Sequence, residues 1–129
     1  AIGKNIRIDS NTITDAYRNG VYARDYIRFE SISNNTITSR SNNAGTNFDG
    51  LYFHLYSEVD TIKNNKINTT KSTTTIYANG IYCYLVNYYS STSANLHLIN
   101  NEIKVLAMAN FSVAGNRLIY TSKTSLFVT

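Results

Sequence analysis

Proline and tryptophan are absent from this 129-residue chain, and cysteine occurs once, at Cys83. A single cysteine excludes an intrachain disulfide and any metal centre built from thiolates. Within "GIYCYLV" it reads as a small buried hydrophobe. No apolar run approaches the roughly 20 residues that cross a bilayer as a helix, so no membrane insertion is expected. The basic residues are spread singly, as at Arg7, Arg18, Arg28 and Lys63, and nowhere form a run. A net charge of +4 without clustering reads as a solvated surface and argues against a nucleic-acid partner. His54 and His97 lack a second His or Cys at ligand spacing, and neither a Gly-x-Ser-x-Gly elbow nor a phosphate-binding glycine loop occurs. The opening "AIGKNIRIDS" has no apolar h-region. It starts in strand-like sequence, so we expect a removed leader or a segment of a longer protein.

What is present is tyrosine, 11 of them, with abundant Asn, Ser and Thr and a hydrophobic share of 43%. That share suits a globular domain. Tyr, Thr, Ile and Val favour strands, while Asn and Gly favour turns. The composition predicts an all-β chain with many tight corners, and 129 residues are one domain's worth.

Two motifs repeat in step. Gly followed by an apolar residue and Tyr occurs in "NGVY", "DGLY" and "NGIY", placing Gly20, Gly50 and Gly80 at intervals of 30. Asn-x-Ile occurs in "SNTIT", "NNTIT", "NNKIN" and "NNEIK", with Asn35 and Asn65 also 30 apart. Each follows the preceding motif glycine by 15 residues, whereas Gly80 to Asn101 takes 21. Alternation within "GLYFHLY" has the strand period of two, and helical periodicity is missing.

Such a pattern predicts a β-solenoid. Asn11, Asn35, Asn65 and Asn101 then stack at one corner in left-handed conformation, each amide bonding the next. Ile13, Ile37, Ile67 and Ile103 follow as an inward column. From Ile6 to Lys104 the chain resembles the right-handed parallel β-helix repeat family, matching its Gly-hydrophobic-Tyr and Asn-x-Ile elements. The resemblance implies a right-handed parallel β-helix of about four coils over residues 1–129. The asparagine pattern returns in "SVAGNRLIY" only 15 residues after Asn101, too soon for a full coil, so 105–129 is expected to be an irregular last coil or cap. That family holds polysaccharide lyases, glycosidases, epimerases and many surface proteins. It therefore implies an extracellular or cell-surface location without choosing an activity.

Alternation puts Val21, Leu51, Ile81, Ala23, Phe53 and Cys83 inside. Tyr22, Tyr52 and Tyr82 then form an outward ladder, with Arg24, His54 and Tyr84 beside it. We expect the tyrosines to expose a flat strip suited to sugar rings or to a protein partner. Polar loops are expected at 39–47, 69–75 and 87–95, the longest carrying Tyr88 and Tyr89.

Glycoside chemistry needs paired carboxylates. Glu30 and Asp60 are 30 apart and Glu58 is two before Asp60, which makes these three the catalytic candidates. Such a pair could share a proton or a calcium ion, the one cofactor these positions allow. Arg28 and Lys63 lie near enough in sequence to neutralise them. Asp49, in "DGLY", reads as a turn residue. The resemblance associates lyases with clustered acids plus a basic residue, and hydrolases with adjacent aspartates. No Asp-Asp, Gly-His-Gly or Arg-Ile-Lys occurs in this chain. The expectation is a non-catalytic structural or adhesive module that self-associates or belongs to a larger shaft, with polysaccharide as ligand. A polysaccharide-active enzyme is the alternative.

Overall fold

The structure is a computed structural model describing residues 3–40, 47–54, 57–68, 78–84, 96–105, 112–114, 119–122 and 125–128. In chain order the strands are β1 (Gly3–Asp9), β2 (Thr12–Ala16), β3 (Asn19–Arg24), β4 (Ile27–Ser33), β5 (Thr36–Ser39), β6 (Phe48–His54), β7 (Glu58–Lys63), β8 (Lys66–Asn68), β9 (Ala78–Tyr84), β10 (Leu96–Ile99), β11 (Glu102–Val105), β12 (Ser112–Ala114), β13 (Ile119–Ser122) and β14 (Ser125–Val128). Each strand from β1 to β11 pairs in parallel with the strand three places later. Three parallel sheets result: β1-β4-β7-β10-β13, β2-β5-β8-β11-β14 and β3-β6-β9-β12. This all-β arrangement is compatible with a β-solenoid. Within 105–129, expected as a last coil or cap, β12, β13 and β14 pair with β9, β10 and β11. The expected loops at 69–75 and 87–95, and 41–46 of the first loop, lie outside the described residues.

Register follows the repeat. Val21 faces Leu51, which faces Ile81, and Arg28 faces Glu58. Where spacing departs from 30 the columns stay aligned: Ile13 faces Ile37, which faces Ile67, which faces Ile103. The second and third sheets give the core these isoleucines together with Leu51, Ile81, Phe53 and Cys83. The first adds Ile32, Ile62 and Leu98, and all of these named by sheet are at 0% exposure except the partly covered Ile13. All three sheets thus contribute to one apolar core.

The motif glycines sit inside strands β3, β6 and β9 rather than at corners. A Cβ on Gly50 would lie 2.4 Å from Ile67 Cγ2 and 2.6 Å from the Gly80 carbonyl oxygen. Equivalent contacts join Gly20 to Ile37 at 2.3 Å and Gly80 to Ile103 at 2.2 Å. The glycine is needed for close approach. It seats the isoleucine of the Asn-x-Ile element, which is why the two motifs keep step.

Asparagine does two jobs at the corner between the first and second sheets. Ser10, Asn34, Asn64 and Asn100 take left-handed φ of 60°, 57°, 54° and 52°. They are the residues before the motif asparagines, so the left-handed turn precedes the buried ladder by one position. Within the ladder, Asn65 Nδ2 donates to Asn101 Oδ1 (3.0 Å) and to the Ile32 carbonyl (2.9 Å). Asn65 Oδ1 accepts from Asn35 Nδ2 (2.9 Å) and from Asn35 N (3.0 Å). Both amide hydrogens and the oxygen are thus used, as a fully buried carboxamide requires. Asn11 opens the series by donating to Asn35 Oδ1 (3.1 Å). A second, exposed row bonds Asn64 to Asn34 (3.2 Å) and Asn100 to Asn64 (2.9 Å).

Asn65→Ala strands several buried groups at ~1–3 kcal/mol each, so a loss of about 3 kcal/mol or more is expected in urea denaturation. Asn64→Gly keeps the left-handed turn and removes only exposed bonds, which predicts under about 1 kcal/mol. Gly50→Ala should cost about 3 kcal/mol by overpacking. Equal losses for Asn65→Ala and Asn64→Gly would refute the assignment of the buried row as the structural one.

Candidate functional site

Tyr22, Tyr52 and Tyr82 occupy one register position on the outer face of the third sheet. Their rings stack, with centroids 5.2 Å apart at 13° between Tyr22 and Tyr52, and 4.9 Å at 12° between Tyr52 and Tyr82. Strands about 4.8 Å apart impose that spacing. The consequence differs from the flat strip expected from the sequence. Ring faces are turned toward one another, so Tyr52 has a tyrosine on each face and no room for a sugar ring between. The stack can present edges and hydroxyls, and among described members the outer face of Tyr22 is open, its side chain 54% exposed. His54 lies nearly parallel to Tyr52 (5.7 Å, 18°). Burial first, and the Arg24 charge second, hold His54 below its ordinary value of 6.5. Tyr84 is described by its backbone, which faces His54. Tyr88 and Tyr89 lie outside the described residues.

A pocket of about 230 Å³ opens beside the first two tyrosines, lined by Arg18, Asn19, Tyr22, Asn47, Asp49 and Tyr52. Asp49 lies within β6 and is 6% exposed, so it is a buried strand residue, not the turn residue that Asp-Gly suggested. Its backbone N–H donates to the Arg18 carbonyl (2.8 Å), and Asn79 Nδ2 donates to its Oδ1 (2.6 Å). Asn47 Oδ1 is buried without a hydrogen-bond partner among the described residues. Arg18 is exposed and has no carboxylate within 4.0 Å among those residues. Arg18 and Asn47 were not visible as site residues in the sequence. The one available signal was the Asn19–Asp49–Asn79 column, in which a charge replaces an amide.

The acids lie on the outer face of the first sheet and are drawn into ion pairs. Arg7 grips Glu30 through two nitrogens, with Nε donating to Oε2 at 3.0 Å. That hydrogen bond holds the Glu30 carboxyl below the usual glutamate value, opposite to the need of a general acid. Arg28 lies between the other two, 3.6 Å from Glu58 Oε2 and 3.2 Å from Asp60 Oδ2. The fold thus brings Glu58 and Asp60 together around an arginine, while Glu30 belongs to a separate pair. Asp9 accepts from Ser31 (3.0 Å) and from Ser33. These hydroxyls, Ser33 foremost, hold it below the usual aspartate value. No group of three or more His, Cys, Asp or Glu among the described residues is placed to hold a metal ion. Burial pushes the Cys83 thiol up to about 12, which leaves it unreactive.

No protein-family model, curated protein or solved structure matches this chain.

Acid stability follows from Asp9. Its folded value is depressed, so its contribution is present above its ordinary 3.8 and is lost as pH falls through the folded value. The thermal midpoint of Ser33→Ala should lie below wild type at pH 6, and the gap should close as pH drops under 3.8. A gap that stays constant down to pH 2 would show that Ser33 acts through packing instead.

Proposed function

We propose that this chain is a right-handed parallel β-helix module of about four coils with a 30-residue repeat, part of a secreted or cell-surface protein. Its role is non-catalytic: a rigid shaft for adhesion or assembly that grips polysaccharide along the tyrosine edge. The observation carrying this reading is the Tyr22–Tyr52–Tyr82 stack, which spaces three phenols at intervals of 4.9 to 5.2 Å on a fully packed support. Evenly spaced hydroxyls on rigid strands can bond a regular polymer without ordering cost. The pairing of Glu30 with Arg7, and of Glu58 and Asp60 with Arg28, favours this over a polysaccharide-active enzyme.

Assembly has its own support. Ile8 and Ile13 are partly exposed, while their column mates Ile32 and Ile37 are at 0%. A further coil stacked on β1, β2 and β3, from a longer parent chain or another copy, would cover them.

The test is incubation with a panel of polysaccharides, reading retention and chain length. Retention without shortening is expected. Because ring edges make the contact, Tyr52→Phe should lose most of the retention lost by Tyr52→Ala. Shortening that Asp60→Asn abolishes would replace this proposal with the enzyme. Full retention by Tyr52→Phe would overturn the hydroxyl contact.

A further inference from the structure

The first layer, β1 to β3, leaves one polar pattern unfinished. At each interior joint the corner N–H of a layer donates to the asparagine Oδ1 of the next, as Asn35 N does to Asn65 (3.0 Å) and Asn65 N to Asn101 (3.1 Å). The N–H one residue further on in the later layer donates back to the corner carbonyl. Lys66 N does so to Asn35 (2.8 Å) and Glu102 N to Asn65 (2.9 Å). Asn11 Oδ1 and the Thr12 N–H hold those positions in the first layer, which no described strand precedes. Asn11 is accordingly exposed, while Asn35, Asn65 and Asn101 are buried. Apolar cover is missing at the same end, but unevenly. In the first sheet Ile6 is 37% exposed and Ile8 only partly buried, and in the second Ile13 is only partly buried. Val21 and Ala23 of the third sheet are already buried. The opposite end has the matching shape. Its last layer consists of β13 in the first sheet and β14 in the second, and the third sheet stops at β12. The strands it offers lie in the two sheets whose first-layer isoleucines are uncovered.

We propose that copies of this chain stack end to end, the β13–β14 layer of one seating on β1 and β2 of the next in parallel register. This rests on the assembly reading above and names its partner as a second copy. The bonds wanted at Asn11 and Thr12 come from a backbone N–H and a carbonyl of the preceding layer. Every residue except proline carries both, and the chain has no proline. Carrying each column one layer on sets Leu126 beside Ile13 and Ser125 beside Thr12. In the first sheet it sets Thr121 beside Ile8, with Tyr120 beside Arg7 and Ser122 beside Asp9. No charge therefore meets a like charge at these positions, and the isoleucines meet uncharged residues. The third sheet keeps a gap one strand wide at the joint, where Val21 and Ala23 need no further cover. A head-to-tail joint along the stacking direction does not close on itself, so it repeats into a filament.

The experiment is sedimentation velocity of the whole chain over a concentration series, with cross-linking to give the polarity. Wild type should gain mass steadily with concentration, without a preferred oligomer. Thr12→Pro removes the open N–H, and Ile6→Lys puts a charge on the open edge, both at exposed positions. Each should move association to at least tenfold higher concentration while the dilute chain keeps its thermal midpoint. A thiol-reactive cross-linker should join Thr12→Cys to Ser125→Cys in a mixture and join neither to itself. Cys83 is buried and stays silent. If Thr12→Pro fails to fold, Ile6→Lys and the cross-link decide the matter. A single-chain mass for wild type at millimolar concentration overturns the proposal, as does association unchanged in the edge variants. Thr12→Cys joined to itself would show first layers meeting face to face and overturn the head-to-tail partner. If the chain stays single while polysaccharide retention persists and depends on Tyr52, the stacking falls and the adhesive reading stands. If it stays single and retains no polysaccharide, both fall.

Discussion

The carboxamide of asparagine carries two donors and an acceptor oxygen that can take two bonds. That makes it one of few side chains able to bond a copy of itself one strand away and still satisfy the backbone around it. The rest of this fold depends on that fact. At Asn35, Asn65 and Asn101, each at 1% exposure or less, the amide spans from one layer to the next and also ties back to a carbonyl of the preceding layer. Aspartate lacks the donors, serine lacks the reach, and an apolar residue would leave backbone groups stranded. A buried polar row of this kind fixes register more strictly than the apolar columns can, because a slip of one residue would orphan several groups at once.

The second constraint couples the sheets. The backbone ladders run along each sheet, so side-chain contacts must fix how the three lie against one another. The Gly–Ile contacts do this. An isoleucine on the second sheet rests where a Cβ on the third would have been, at Gly20, Gly50 and Gly80 alike. The six extra residues between Gly80 and Asn101 leave this contact unchanged, since Ile103 still meets Gly80. Insertions are absorbed outside the columns because the contact, and not the chain length between its partners, is what packing specifies.

These constraints explain what could be read in advance. Strict alternation identified the inward residues Val21, Leu51 and Ile81 and the outward tyrosines, because a strand has only two faces. The Asn-x-Ile recurrence identified the ladder, because a stacked amide needs its copies. Other features depend on orientation or on distant partners, which spacing does not encode. Ring planes follow from strand separation and χ angles, so a tyrosine column was legible while the turning of its faces inward was not. Pairing of Arg7 with Glu30 joins strands whose offset is not 30, so a search at that interval passes over it. Asp49 looked like a corner because Asp-Gly usually is one. Here its glycine answers to a neighbouring isoleucine.

In a stacked repeat, structural demands act equally on every layer, so residues that serve the stack tend to become identical along a column. Function has no reason to repeat with the layers unless its ligand does. A uniform column such as the tyrosines is therefore ambiguous: stacking alone favours it, and a periodic ligand would favour it too. A column broken at one layer is more informative, because the departure must overcome the preference set by its neighbours. Asp49 is such a break. It keeps the acceptor that Asn79 requires and brings a carboxylate to a pocket that Arg18 and Asn47 also line. On a scaffold this regular, the irregular residue at the mouth of a pocket is the stronger pointer to chemistry.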